Sequence, residues 1–227
     1  MNNLQKIGGV SALIGAMTNL LGIGVFLIFL APKGYGSEDL NPSQIVAFLT
    51  ENQAIMRVWY QIIFLAFGVC LIFLSLALYE RLKTGAPTMA LVVTMIGIIW
   101  AVLVIAVGTL SINNLKTVAT LYGKDPTQAA MTWLALDSVE TGLGAGGGET
   151  IVNALWFLLV SWTALQAGSL PKALNYLGLV IGVAGILSVV LSLVDLMSIF
   201  ALGLIVWFVW LGIVMLRTGS ATKPLNL

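Results

Sequence analysis

Six long apolar stretches constrain this chain more than any other feature of its sequence. A helix needs about 20 mostly apolar residues to cross the hydrocarbon core of a bilayer. Six stretches come close to that length or exceed it, at residues 7–30, 58–79, 88–110, 151–167, 173–194 and 196–216. Barrel strands would alternate apolar and polar residues over about 10 positions, and these stretches do not alternate. The sequence therefore predicts an all-α membrane protein in which one domain contains six transmembrane helices.

The composition argues against a soluble or nucleic-acid-binding protein. Charged residues make up 8% of the 227 residues, whereas an ordinary soluble domain has about 25%. The net charge is +1 and there is no basic run, so nucleic acid is not expected as a partner. The chain has no histidine and one cysteine, Cys70. We therefore expect no metal site, no cofactor and no catalytic triad.

Two of the connections between predicted spans are long and contain helix start signals. Asn41-Pro42-Ser43-Gln44 and Asp125-Pro126-Thr127-Gln128 each offer an N-cap, a proline at the first helical position and a glutamine for a capping box. Apolar residues at helical spacing follow both signals: Ile45, Phe48 and Leu49 in one, and Met131, Leu134, Ala135 and Val139 in the other. We expect two short amphipathic extracytoplasmic helices, at about residues 42–56 and 126–140.

The charges of the connections predict how the chain is oriented. Six of the ten basic residues, and Glu80 as the one acidic residue, lie on the side that holds both termini. These basic residues are Lys6, Arg81, Lys83, Lys172, Arg217 and Lys223. Because basic residues near span ends stay in the cytoplasm, we predict a multi-pass protein of the cell inner membrane with both termini cytoplasmic.

The fourth predicted span carries the best candidate for a site. It is short, it is the most polar span, and it follows the glycine-rich run at residues 142–148. In transporters, short or glycine-interrupted spans often mark the substrate site. Glu149 and Asn153 are four residues apart and share a helix face. Asp137, Glu140 and Asp195 are expected near the same outer level, and Asn19 is a polar residue inside the first span.

These five residues, Glu149, Asn153, Asp195, Asp137 and Asn19, predict a binding site for a small cation or amine. A structural interpretation of the same residues stays open. The glycines then form a flexible joint, Glu149 favours the helix N-terminus through the helix dipole, and Asn153 bonds a neighbouring helix.

Small and aromatic residues inside the spans indicate packing. Gly178, Gly182 and Gly185 recur at helical spacing and form a face, called the glycine face below, that lets another helix approach closely. This face packs either inside the chain or against a partner membrane protein or second copy. Trp100 and Trp207 fall near mid-span and are expected to be packing residues. We expect spans one to four to form the core, and the last two spans to add a closing hairpin with its turn at residues 195–198.

Short motifs resemble those of a known family. The stretch Ala77-Leu78-Tyr79-Glu80-Arg81-Leu82-Lys83 is similar to the end of the second span in a bacterial six-span family. Residues 170–179, Leu-Pro-Lys-Ala-Leu-Asn-Tyr-Leu-Gly-Leu, resemble the entry to that family's fifth span, with Asn175 where glycine is usual. The opening Lys6-Ile7-Gly8-Gly9 is also similar. The family is known only as a domain of unknown function, so the resemblance implies a six-helix fold and no activity.

Three functions remain open from the sequence. The first is an accessory or scaffolding subunit of a membrane assembly, because the spans contain few polar residues and the glycine face offers a contact. The second is a transporter or channel for a small cation or amine, built around the fourth span. The third is a lipid-modifying membrane enzyme, although no soluble-enzyme motif is present.

Overall fold

The computed structural model describes residues 2–35, 41–144, 147–191 and 193–220. Within these ranges the chain is helical and contains no strand. The α-helices are α1 (Asn2–Val25), α2 (Pro42–Glu51), α3 (Gln53–Tyr60), α4 (Phe67–Leu82), α5 (Pro87–Tyr122), α6 (Pro126–Leu143), α7 (Gly148–Ala167), α8 (Lys172–Val190) and α9 (Val194–Ser220). A π-helical segment, Phe26–Leu30, and a 3-10 turn, Ala31–Lys33, extend α1. A second π-helical segment, Gln61–Ala66, joins α3 to α4.

Six helical stretches of the described chain are long and apolar enough to cross a membrane, which confirms the predicted fold class. They are Asn3–Lys33, Gln53–Leu82, Pro87–Tyr122, Pro126–Ala167, Lys172–Val190 and Leu196–Arg217. The third extends further than predicted, because α5 continues to Tyr122 instead of ending at residue 110. The apolar run ends at residue 110, but residues 111–122 contain no glycine or proline that would end the helix. The 36 residues of α5 reach about 54 Å, well beyond a hydrocarbon core of about 30 Å.

The spanning helices form a closed ring rather than a four-helix core with a hairpin added to it. Around the ring, the order of neighbours is α1, α4, α5, α7, α8 and α9, and α9 packs against α1 again. Trp207 and Phe208 of α9 are fully buried beside Trp100 and Trp156. The expectation that the last two spans only close the bundle is therefore wrong, because the large aromatic side chains of α9 occupy the core.

The turn between the last two spans also lies elsewhere than expected. α8 ends at Val190 and α9 begins at Val194, so residues 195–198 are helical. No glycine or proline marks this connection in the sequence. Both helix ends are apolar, so hydropathy does not change at the boundary and could not predict it.

Both connecting helices begin at their predicted caps. Asn41 and Gln44 form the complete capping box at the start of α2. The Asp125 side chain accepts hydrogen bonds from the backbone N–H groups of Thr127 and Gln128 at the start of α6. Each cap satisfies backbone donors that a helix N-terminus leaves without a partner.

The apolar residues predicted for one face of α6 are not the residues that pack on the bundle. Met131, Leu134, Ala135 and Val139 are exposed, whereas Ala129, Ala130 and Trp133 are buried. α6 packs against α5 and α2, and its two alanines permit that close approach. In α2, Leu49 is buried as predicted, and the helix ends at Glu51, where Asn52 separates it from α3.

The glycine face of α8 packs inside the chain. A side chain at Gly178 would meet Ser161 and Trp207, one at Gly182 would meet Leu158 and the Ala154 backbone, and one at Gly185 would meet Phe200. These neighbours belong to α7 and α9. Of the two arrangements that the sequence left open for the glycine face, the structure shows packing inside the chain.

The start of α1 and the end of α9 lie at the same end of the bundle. Gln5 donates a hydrogen bond to the backbone carbonyl of Ala77, near the end of α4. Gly9 lies against Gly212 and Leu216 of α9. At the opposite end α5 gives way to α6, and this end is called the α6 end below.

Candidate functional site

A cavity of about 260 Å³ lies among α1, α4, α5, α7, α9 and the π-helical segment before α4. Three of the five residues proposed from sequence line it: Asn19, Glu149 and Asn153. Its aromatic walls are Phe64, Phe67 and Phe200. The remaining lining residues are Thr150 and the aliphatic side chains of Ile63, Val104, Met197, Ala201 and Leu204.

Glu149 occupies the first turn of α7, which begins at Gly148. The indole Nε1 of Trp100 donates a hydrogen bond of 2.9 Å to Oε1 of Glu149. The second carboxylate oxygen accepts no hydrogen bond from the described residues. The positive end of the α7 dipole and the indole N–H both favour the negative charge of Glu149. Trp100 was predicted only to be a packing residue, but it also donates a hydrogen bond to Glu149.

Asn153 lies one turn further along α7, on the same face as Glu149. Its side chain is buried, with 4% of its surface exposed. Its Oδ1 has no hydrogen-bond partner among the described residues. A buried acceptor without a partner costs about 1–3 kcal/mol. A donor that enters the cavity would remove that cost.

The other three candidates are placed differently. Asn19 lines the cavity from α1, and its Nδ2 donates to the Gly15 carbonyl at 2.9 Å. Asp137 is half-buried on α6 and does not line this cavity. Asp195 lies in the first turn of α9, but its side chain is outside the described part of the structure.

The charges around the cavity favour a cation. Glu149 is the one ionisable residue in its lining, and no lysine or arginine is present there. The faces of aromatic rings attract cations as well, by about 0.5–2 kcal/mol. Because one carboxylate does not make a metal site, the cavity fits an organic cation better than a metal ion. Among the described residues, no three His, Cys, Asp or Glu side chains group together to hold a metal.

An aromatic cluster next to the cavity positions Trp100. Trp100 contacts Phe67 and Trp156, with ring centroids 5.5 Å and 5.4 Å away. Trp156 in turn contacts Trp207 at 5.6 Å. Because these rings are closely packed, they hold the Trp100 side chain in one orientation. They therefore fix the position of the indole N–H that donates to Glu149.

A second carboxylate, Glu140, is held outside this cavity. Its Oε1 accepts from the Ser111 hydroxyl and its Oε2 accepts from Asn114 Nδ2 at 3.0 Å. The sequence placed Glu140 near the outer level but did not predict these contacts, because the third span was expected to end at residue 110 and both donors were left in a connection. Ser111 lies about 16 Å beyond Trp100 along α5. The two carboxylates are therefore held by the same helix at different levels.

Comparison with known proteins identifies a family and no characterised relative. The family model described as "Domain of unknown function (DUF4386)" matches residues 8–219. This match confirms the resemblance seen in the motifs at residues 77–83 and 170–179. No curated protein is significantly similar to the chain. No solved structure is significantly similar to it.

Proposed function

We propose that this chain, which belongs to the DUF4386 family, a domain of unknown function, carries a small organic cation with N–H groups across a membrane. Protonated amines and guanidinium ions are the class of substrate. One observation carries the proposal. The half-buried carboxylate of Glu149 lines a cavity together with Asn153, whose Oδ1 has no partner among the described residues, and the cavity has aromatic walls and no basic residue.

The two acceptors suit a cation that donates two hydrogen bonds. Glu149 and Asn153 are one helical turn apart, about 5–6 Å between Cβ atoms. An ammonium or guanidinium group between them donates one N–H to the free carboxylate oxygen and another to Asn153 Oδ1. Its positive charge balances the negative charge of Glu149, for which the cavity lining offers no lysine or arginine. A quaternary ammonium ion supplies charge but cannot donate, so it leaves Asn153 unsatisfied.

The depth of the cavity supports transport over surface binding. Trp100, the partner of Glu149, lies about 20 Å along α5 from Pro87, at 1.5 Å per residue. With Pro87 at one boundary of a hydrocarbon core of about 30 Å, that is about two-thirds of the way through the core. Charged groups at such depths commonly mark the path of a substrate or ion. The volume of 260 Å³ gives room for about nine water-sized groups of about 30 Å³ each.

The other two functions have less support. The scaffolding function was motivated by the glycine face, and that face packs against α7 and α9. The lipid-modifying function needs a reactive group, and the one carboxylate of the cavity has no second acid or base beside it in the lining. The carrier remains the function that the described geometry favours.

Binding is tested with three probes of similar size: methylguanidinium, tetramethylammonium and acetate. Titration calorimetry on the full chain in detergent is expected to detect methylguanidinium binding, weaker tetramethylammonium binding and no acetate binding. Glu149→Gln should raise the Kd for methylguanidinium about 10- to 150-fold, because a hydrogen bond to a charged group contributes about 1.5–3 kcal/mol. Trp100 can still donate to the glutamine amide oxygen, so the fold is retained.

Glu51→Gln is the matched control, because it removes the same charge from an exposed position at the end of α2. It should leave the Kd unchanged. Equal losses in both variants would contradict the site, as would acetate binding as tightly as methylguanidinium. Asn153→Leu should reduce the preference for methylguanidinium over tetramethylammonium without lowering stability, because it removes an unpartnered acceptor.

Transport is tested separately, with radiolabelled methylguanidinium and proteoliposomes. This probe stays charged at neutral pH, so it does not cross lipid as a neutral base. We expect uptake above that of empty liposomes, loss of uptake in Glu149→Gln and normal uptake in Glu51→Gln. Binding without uptake would show that the cavity is a receptor site and would contradict the carrier.

The orientation of the chain is part of the proposal: both termini lie in the cytoplasm, and the α6 end faces outward across the inner membrane. The distribution of basic residues supports it. In a Cys70→Ala background, an impermeant maleimide should label Gly123→Cys on intact cells and should not label Thr84→Cys. Both positions are exposed, between α5 and α6 and between α4 and α5. The reverse pattern would contradict this orientation.

A further inference from the structure

A second pocket, separate from the Glu149 cavity, has a cationic lining. It is a groove of about 470 Å³ between α5 and the segment that joins α3 to α4. Arg57 and Gln61 line one side, four residues apart on one helical face. Thr109, Ile112, Asn113 and Lys116 line the other side. They recur at helical spacing, so they share one face of α5.

The groove offers donors and positive charge without a carboxylate in its lining. Neither Arg57 nor Lys116 forms an ion pair with a carboxylate of the described residues. The Gln61 and Asn113 amides add further N–H groups. The Thr109 hydroxyl is already used, because it donates to the Ile105 and Ala106 carbonyls. Arginine and lysine with amide donors between them suit an anion that has several oxygen acceptors, and phosphate is such an anion.

The depth of the groove indicates where that phosphate comes from. Thr109 lies about 33 Å along α5 from Pro87. With Pro87 at one boundary of a hydrocarbon core about 30 Å thick, the groove lies at the level of the lipid headgroups near the α6 end. Lipid phosphates are concentrated at this level, and free phosphate is not.

The face of α3 next to Arg57 has the apolar surface that a lipid needs. Ile55 and Val58 are exposed there, and Val58 directly follows Arg57. They line an apolar groove of about 390 Å³ between α1 and α3, together with Leu21, Val25, Trp59 and Ile62. Its shape and lining suit an acyl chain. The cationic groove and the apolar groove thus lie side by side around α3.

We propose that the groove of Arg57, Gln61, Asn113 and Lys116 binds the phosphate group of an anionic phospholipid. The lipid's acyl chains lie on the exposed apolar surface around α3. This site does not depend on the function proposed for the Glu149 cavity, since the two pockets share no lining residue.

The test uses native mass spectrometry of the full chain in detergent. The probes are dioleoylphosphatidylglycerol, which is anionic, and dioleoylphosphatidylcholine, which has a phosphate but no net charge. We expect one phosphatidylglycerol to bind in preference to phosphatidylcholine. Arg57→Gln combined with Lys116→Gln should raise the Kd for phosphatidylglycerol about 10- to 30-fold, because it removes two basic contacts at the membrane surface.

Lys33→Gln combined with Lys124→Gln is the matched control. It removes the same charge from exposed positions that do not line the groove, and it should leave the Kd unchanged. Equal loss in the two double variants would overturn the proposal, since net charge alone would then explain the binding. Displacement of the lipid by excess inorganic phosphate or glycerol phosphate would overturn it too, because the groove would then recognise the free anion. All four positions are exposed, so folding is expected to survive, and circular dichroism checks it.

Discussion

Replacing Gly178 with alanine tests whether the glycine face packs inside the chain. Gly178 lies in α8 and faces α7 and α9. An alanine Cβ at this position would overlap the Ser161 hydroxyl and lie 2.9 Å from Trp207 Nε1. Both neighbours are fully buried, so neither has open space to move into. The substitution therefore pushes α7 and α8 apart.

The expected size of the effect follows from two opposing contributions. Alanine favours the helix by about 1 kcal/mol relative to glycine, whereas overpacking a core costs about 1–3 kcal/mol. Gly24→Ala isolates the first contribution, because a Cβ there meets nothing within 4 Å. The free energy of unfolding of Gly178→Ala should therefore lie about 1–3 kcal/mol below that of Gly24→Ala.

The assay is unfolding by SDS in mixed micelles, followed through the near-UV circular dichroism of the buried tryptophans. Adding Ser161→Ala should recover much of the loss in Gly178→Ala, because it removes the hydroxyl that the new methyl group overlaps. That hydroxyl has no partner among the described residues, so Ser161→Ala alone should cost little. Equal stability of Gly178→Ala and Gly24→Ala would refute the packing. So would a loss of oligomers by light scattering with unchanged unfolding, because the face would then lie between copies.

Two further substitutions separate the cavity from the packing around it. Trp100→Phe and Trp207→Phe each remove a buried indole N–H that donates a hydrogen bond, so both should lower stability. Only Trp100→Phe should also weaken methylguanidinium binding, by about tenfold, since it alone releases Glu149; equal binding in the two variants would contradict the role of Trp100. Glu140→Gln should destabilise the packing of α6 on α5 by about 1–2 kcal/mol, because one charge-assisted hydrogen bond is lost. It should leave calorimetric binding unchanged, and weaker binding would show that the two carboxylates are coupled.

Features set by neighbouring residues could be predicted from the sequence. Asn41 and Asp125 begin their helices as expected, because a cap depends on three or four consecutive residues. Glu149 and Asn153 share a face because the helical repeat alone decides it. The six apolar stretches were recognisable because each is long and nearly free of charge. All of these features need only local information.

Contacts between helices could not be predicted in the same way. Trp100 donates to Glu149, and Asn153 lines the same cavity as the three phenylalanines, because of the rotation and order of helices around the ring. Hydropathy does not encode either property when nearly every side of a helix is apolar. The same limitation placed the last two spans at the edge, although Trp207 occupies the core.

The acidic residues show a second limit of the sequence argument. Asp137 was expected to join Glu149 because both lie toward the same side of the membrane. Depth alone does not bring side chains together: Asp137 lies on α6, outside the ring, and does not line the cavity. Glu140, one turn later, is the carboxylate of α6 that accepts hydrogen bonds from α5, and its donors Ser111 and Asn114 lie in a stretch that was predicted to be a loop.

The most direct test of the account is the distance between a bound cation and the Glu149 carboxylate. Solid-state NMR can measure it by dipolar recoupling between ¹⁵N-methylguanidinium and protein labelled with ¹³C at glutamate carboxyl groups, in phosphatidylcholine vesicles. The account predicts a carboxyl contact within about 4 Å, the range of an ion pair, and its disappearance in Glu149→Gln but not in Glu51→Gln. A contact that survives in Glu149→Gln, or no glutamate contact with the probe bound, would contradict the cavity as the cation site.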